Sequence, residues 1–124
     1  MTVLRKNPGL DVKIYHNPRC SKSRQTLELL QEHGVDPQIV DYLSAPPGAA
    51  ELRHILTMLG LPPRGLMRTR EQAYRDAGLD NPDLADEELI RAMIEHPILI
   101  QRPIVIVDGR AVIGRPPERV LDLL

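Results

Sequence analysis

Two short apolar stretches, residues 12–16 and 37–43, flank a stretch with helical periodicity over 21–33, and this succession restricts the folds open to the chain more than any other feature. Ile14 and Tyr15 anchor the first stretch and Ile39, Val40 and Tyr42 the second, and both have the length of strands. Between them Thr26, Leu27 and Leu30 recur on one helix face, Pro18 breaks the preceding strand, and Gly34 stands where helices commonly stop. Strand, helix and strand in so short a segment make a βαβ unit, whose strands are parallel and whose crossover is right-handed.

The turn cluster Ser44-Ala45-Pro46-Pro47-Gly48 leads into a predicted helix over 49–59, with Leu52, Ile55, Leu56 and Leu59 on one side and Gly60 at its end. Shorter helical pieces follow over 64–67 and 71–77, then a firmer helix over 85–95, and this middle third has no strand signal. Apolar runs over 104–107 and 111–113 flank Asp108-Gly109, the strongest short-range hairpin signal. Pro117 opens a final helix over 117–124. The order β-α-β, helices, β-β-α is that of an α/β thioredoxin-like fold, with glutaredoxin-type βαβ and ββα halves and an inserted helical region. Residues 1–10, with Asn7-Pro8-Gly9, read as a short, loose N-terminal extension, and residues 11–124 as one domain. A domain of this size buries a core without disulfides or metals. With no Phe and no Trp, that core is expected to be aliphatic.

The 16 basic and 17 acidic residues leave a formal net charge of -1, so bulk charge gives no attraction to nucleic acid or to an acidic membrane surface. No stretch approaches the ~18 apolar residues of a membrane span, and no charged start precedes a long apolar run. A cytoplasmic monomer is the expectation, in a compartment where thiols stay reduced.

Cys20 is the only cysteine, and it lies in His16-Asn17-Pro18-Arg19-Cys20-Ser21-Lys22-Ser23-Arg24, where the first strand gives way to the first helix. A lone thiol cannot close an internal disulfide, so any redox chemistry it performs needs a sulfur from another molecule. Near a helix N-cap, unpaired backbone N–H groups and the helix dipole stabilise a thiolate or a bound oxyanion, and Arg19, Lys22 and Arg24 add positive charge. The other reading of a free cysteine is a small, buried apolar residue. His33, His54 and His96 have no ligand spacing with one another or with Cys20, so no metal site is expected. His33, at a helix end, suits the terminal carbonyls instead.

The run from Tyr15 to Cys20, with Ser23-Arg24, resembles the catalytic loop of the glutaredoxin-coupled arsenate reductase (ArsC) family. His96-Pro97-Ile98-Leu99-Ile100-Gln101-Arg102-Pro103-Ile104-Val105 is similar to that family's other signature. Leu66-Met67-Arg68 is similar to a leucine-rich turn bearing an arginine, and Gly114-Arg115-Pro116 falls where the family has a further arginine followed by proline. The resemblance implies Cys20 as nucleophile, His16 as a histidine that assists it, and Arg68, Arg102 and Arg115 around the arsenate oxyanion. It also implies glutathione as cosubstrate, glutaredoxin as the final reductant, no tightly bound cofactor, and a cis bond before Pro103. Arginine suits the role because its planar, permanently charged fork binds a phosphate-shaped dianion bidentately. A charged His16 could lower the thiol pKa, and a hydrogen-bonded structural role is its alternative. Ser21 and Lys22 depart from the small residue, such as Gly, that typically follows the cysteine in the resistance enzymes. Two other readings remain beside arsenate reduction: an Spx-like regulator that binds RNA polymerase, and a thiol-dependent oxidoreductase with another substrate. Many Spx-type regulators use a Cys-x-x-Cys switch, which Ser23 removes here, and a pure binding module has no use for three arginines.

Overall fold

Val12 and Ile14 to His16 are buried and Lys13 half-buried along β1 (Val12–His16), the central strand of the computed structural model, which describes residues 11–124. The expected N-terminal extension, residues 1–10, lies outside the described residues. A helix, α1 (Ser21–Glu32), carries the chain from β1 to β2 (Gln38–Asp41), which pairs parallel to β1 with Ile14 opposite Ile39. On the other side β3 (Ile104–Val107) runs antiparallel to β1, and β4 (Arg110–Ile113) antiparallel to β3, giving the order β2-β1-β3-β4. The mixed sheet is the thioredoxin-like arrangement expected from the element order.

The sheet, α1 and a final 3-10 helix (Pro117–Leu123) form one of two compact units, built from residues 11–41 and 102–124. One cluster of its core is aliphatic: Val12, Ile14, Leu30, Val105, Val107 and Val120 pack together, each no more than 4% exposed. Burying each such side chain contributes about 1.5–3 kcal/mol. The β3–β4 hairpin turns at Asp108-Gly109, with both residues at positive φ (48° and 82°), the geometry that favours this dipeptide in two-residue loops. Asp108 also accepts the Asp11 N–H on its side chain at 2.8 Å, tying the turn to the start of β1.

The inserted helical unit, Tyr42–Gln101, contains α2 (Ala49–Leu59), α3 (Gln72–Asp76), α4 (Asp86–Glu95) and 3-10 turns at Pro63–Leu66 and Pro97–Leu99. Three acidic residues open α4, and the Glu88 side chain accepts the Ala85 N–H at 3.0 Å, which suits the positive end of the helix. Met67 and Ile100 form an isolated antiparallel bridge, flanked by a hydrogen bond from the Gln101 N–H to the Leu66 carbonyl.

Several features differ from the sequence reading or add to it. The second strand ends at Asp41, because Tyr42 is buried as the first residue of the helical unit. The core is not aliphatic throughout, since Tyr15, Tyr42 and Tyr74 are all buried. The Arg102–Pro103 peptide is cis as expected, and the Arg115–Pro116 peptide is cis as well. Among the described residues no helix is long and apolar enough to cross a membrane, and no group of three or more His, Cys, Asp or Glu could hold a metal ion.

Gly114 lies against the Thr26 and Pro103 side chains, with no room for a side chain of its own. A Cβ there would lie 2.7 Å from Thr26 Oγ1 and 3.0 Å from Pro103 Cγ. Thr26 is fully buried and its hydroxyl donates to the Lys22 carbonyl at 2.8 Å, so it cannot swing aside freely. Gly114→Ala is therefore expected to destabilise the protein by about 1–3 kcal/mol, the usual cost of overpacking. A thermal midpoint equal to the parent's would contradict it.

Candidate active site

Asn17 and Pro18 stop β1, and a tight turn follows in which the Arg19 N–H donates to Asn17 Oδ1 at 2.9 Å and the Cys20 N–H to the Asn17 carbonyl at 3.0 Å. Cys20 then caps α1 with extended backbone geometry (φ -95°, ψ 123°), and its carbonyl accepts the Arg24 N–H. This is the position at which a side-chain acceptor meets the unpaired N–H groups of the first turn. Cys20 is half-buried.

Burial pushes the Cys20 thiol up, but the Ser23 N–H, the Arg102 guanidinium and the Lys22 N–H more than offset it, and the pKa lies below its ordinary value. The thiol closes no cap hydrogen bond of its own, so the effect of the two N–H groups is electrostatic stabilisation of the anion. Arg115 adds a second guanidinium: its Nη1 lies 3.9 Å from Cys20 Sγ and donates to the Arg102 carbonyl at 3.2 Å. Since the thiolate is the reactive species, the rate of alkylation against pH is expected to inflect below the ~8.5 of a free thiol. An inflection at or above that value would overturn the anionic assignment.

His16 bears on this site through Ser23. Its Nδ1 is 2.6 Å from Ser23 Oγ, which also accepts the Asn17 N–H at 3.0 Å, and Ser23 is fully buried. Burial holds the His16 pKa below its ordinary value, Asp41 pulls it the other way, and Arg24 reinforces the lowering. The lowered pKa favours the neutral ring, so His16 meets the thiol loop as a hydrogen-bonding partner of Ser23 and not as a positive charge. In the sequence Ser23 counts as part of the family-like loop and as the position where a Cys-x-x-Cys switch lacks its second cysteine, with no role assigned to it beside the thiol. Its spacing held the missed signal, because three residues past an N-cap is where a backbone N–H points back at the capping side chain.

Arg102 and Arg115 thus share the sheet unit with Cys20. Arg68 belongs to the helical unit, where its N–H donates to the Leu99 carbonyl at 2.6 Å and its Nε to Glu71 Oε1 at 3.3 Å. His33 Nδ1 donates to the Leu29 carbonyl at 3.0 Å, the helix-end role expected of it.

A profile of the ArsC family matches residues 15–123, which takes in the thiol loop, all three arginines and every element from α1 to β4. The chain belongs to the ArsC family. Among relatives of this ArsC family member, the Escherichia coli (strain K12) protein YfgD is 54% identical over 114 residues, covering 91% of this chain and 96% of its own. An arsenate reductase of Neisseria meningitidis serogroup A is 49% identical over 115 residues, covering 92% and 98%. The solved structure of an arsenate reductase from Vibrio cholerae superposes with a TM-score of 0.91 at 48% identity, covering 93% of this chain and 98% of that one.

Proposed function

We propose that this ArsC family member reduces arsenate to arsenite with Cys20 as the nucleophile and with glutathione and glutaredoxin as electron donors. The observation that carries the reading is a lone thiol, biased toward its anion, with Arg102 beside it and the Arg115 guanidinium 3.9 Å from its sulfur. Relatives of nearly the same length are named arsenate reductases, which supports arsenate as the substrate.

In this proposal the Cys20 thiolate attacks arsenic, an As–O bond breaks, and the oxygen leaves as water once protonated. Arg102 and Arg115 hold the charge on the remaining oxygens, and Arg68 joins them on the strength of the family resemblance. Reduction of arsenic from the pentavalent to the trivalent state takes two electrons, and Cys20 has no partner sulfur in the chain. Glutathione therefore displaces a second oxygen to form a mixed thiol adduct. A glutaredoxin thiolate then takes the glutathione sulfur as a mixed disulfide, leaving the electron pair of the broken As–S bond on arsenic. Water releases arsenite and restores the Cys20 thiolate. The protein itself supplies no cofactor, and the reaction suits a monomer in a reducing compartment such as the cytoplasm.

Arsenite production is measured with both donors present and with each omitted in turn. Product is expected only from the complete mixture. No arsenite from the complete mixture would remove arsenate as the substrate, and full activity without glutaredoxin would remove glutaredoxin as the donor.

A further inference from the structure

Five basic residues, Arg19, Lys22, Arg24, Arg102 and Arg115, belong to the segments that carry or touch the thiol, in a chain whose formal net charge is -1. The remaining residues of the chain together carry a net negative formal charge. Three of the five have work at the site. Arg24 Nη1 donates to the Pro18 carbonyl at 2.9 Å, Arg115 bridges the Arg102 carbonyl and the sulfur, and Arg102 stabilises the thiolate.

Arg19 and Lys22 differ. Both are exposed, and among the described residues neither side chain has a hydrogen bond or an ion pair. Their backbones are held nonetheless: the Arg19 N–H donates to Asn17 Oδ1 at 2.9 Å and the Lys22 carbonyl accepts the Thr26 hydroxyl at 2.8 Å. A pinned loop therefore carries two uncommitted cations, one residue before Cys20 and two after it. Each is an exposed positive charge within a few residues of the thiol, and a visiting anion is attracted to both.

We propose that Arg19 and Lys22 select the sulfur partner of Cys20 by charge, recognising the carboxylates of a small anionic thiol or of its disulfide. The proposal rests on Cys20 acting as a thiolate and assigns a task to two residues that oxyanion binding does not use. An isolated thiolate discriminates the opposite way, since its own negative charge repels an anionic partner. At separations of about 8 Å in a water-like dielectric, each cation–carboxylate pair alters an encounter roughly two- to threefold. The effect fades with salt, because the screening length falls from about 30 Å at 0.01 M to about 3 Å at 1 M.

The test is thiol–disulfide exchange on the full chain with three symmetrical disulfides: anionic 3,3′-dithiodipropionate, neutral 2-hydroxyethyl disulfide and cationic cystamine. The Cys20 thiolate attacks one sulfur, the S–S bond breaks, a Cys20 mixed disulfide forms and the other half leaves as its thiolate, so the product is counted by intact mass. Each rate is divided by that of a blocked, uncharged cysteine derivative, which removes differences in leaving group. At low salt the normalised anionic-to-cationic ratio is expected to exceed one. It should fall about fivefold or more in the Arg19→Gln, Lys22→Gln double variant, and approach one at about 1 M salt. A ratio unchanged by the double substitution overturns the proposal. So does an equal slowing of all three probes, which would place the two cations with the thiolate's own stabilisers. No arsenate is present, so charge selection without arsenite production leaves this inference standing and removes the function, and the converse removes only this inference.

Discussion

Cys20→Ser is expected to abolish arsenite production, lowering it by roughly a thousandfold or more, which corresponds to at least about 4 kcal/mol of lost transition-state stabilisation. The hydroxyl that replaces the thiol is not ionised at neutral pH, and no other cysteine exists to take over the attack. The same substitution leaves the fold untouched or slightly firmer, because serine is among the best N-cap residues and Cys20 occupies the N-cap of α1. Activity and thermal midpoint together make the test sharp. A dead variant with an unchanged midpoint supports the nucleophile, whereas a variant within tenfold of the parent would show that the chemistry proceeds without the sulfur.

Arg102→Lys and Arg115→Lys are each expected to lower kcat/KM about ten- to a hundredfold, the loss of one charge-assisted hydrogen bond at roughly 1.5–3 kcal/mol. Lysine keeps the charge and so preserves much of the pull on the thiolate, but it loses the planar fork that can grip two oxygens at once. The loss should be plainest at Arg115, whose Nη1 donates to the Arg102 carbonyl while also reaching the sulfur, a pair of tasks that a single ammonium on a flexible stem does not reproduce. Thermal midpoints close to the parent's would separate this effect from misfolding. Parental kcat/KM in both lysine variants would dissolve the anion site.

Much of the scaffold was legible because local pattern and tertiary demand agree there. The nearly continuous buried run of β1, the helix face of Leu30, and Asp108-Gly109 at positive φ are each settled by a few neighbouring residues. Where long-range packing decides, reading failed. The burial of Tyr42 cut β2 short, and the 3-10 turn at Pro97–Leu99 went unseen because Ile98, Leu99 and Ile100 form an apolar run with no helical period. The site shows the same division. Cys20 announced itself by its place at a strand-to-helix turn, and Arg102 and Arg115 through the two family-like segments. The link from His16 through Ser23 was hidden, because it depends on a 2.6 Å contact across seven residues of chain rather than on residue type.

The helical unit is inserted between β2 and β3, and this ordering has a consequence for how the thiol comes into being as the chain is made. β1, α1 and β2 can form from the first third of the chain, so Cys20 reaches its helix cap early. Arg115, 95 residues further on, arrives only when β3 and β4 dock beside β1. Closing so long a loop in a flexible chain costs about 1 kcal/mol more than closing the short βαβ crossover, because closure entropy grows with the logarithm of loop length. Compaction of residues 42–101 before docking shortens the effective span and removes part of that cost. A chain that ends at Gln101, before β3, therefore carries the Cys20 sulfur without Arg102 and Arg115, so the thiol and the guanidinium groups that bear on it come from opposite ends of the sequence.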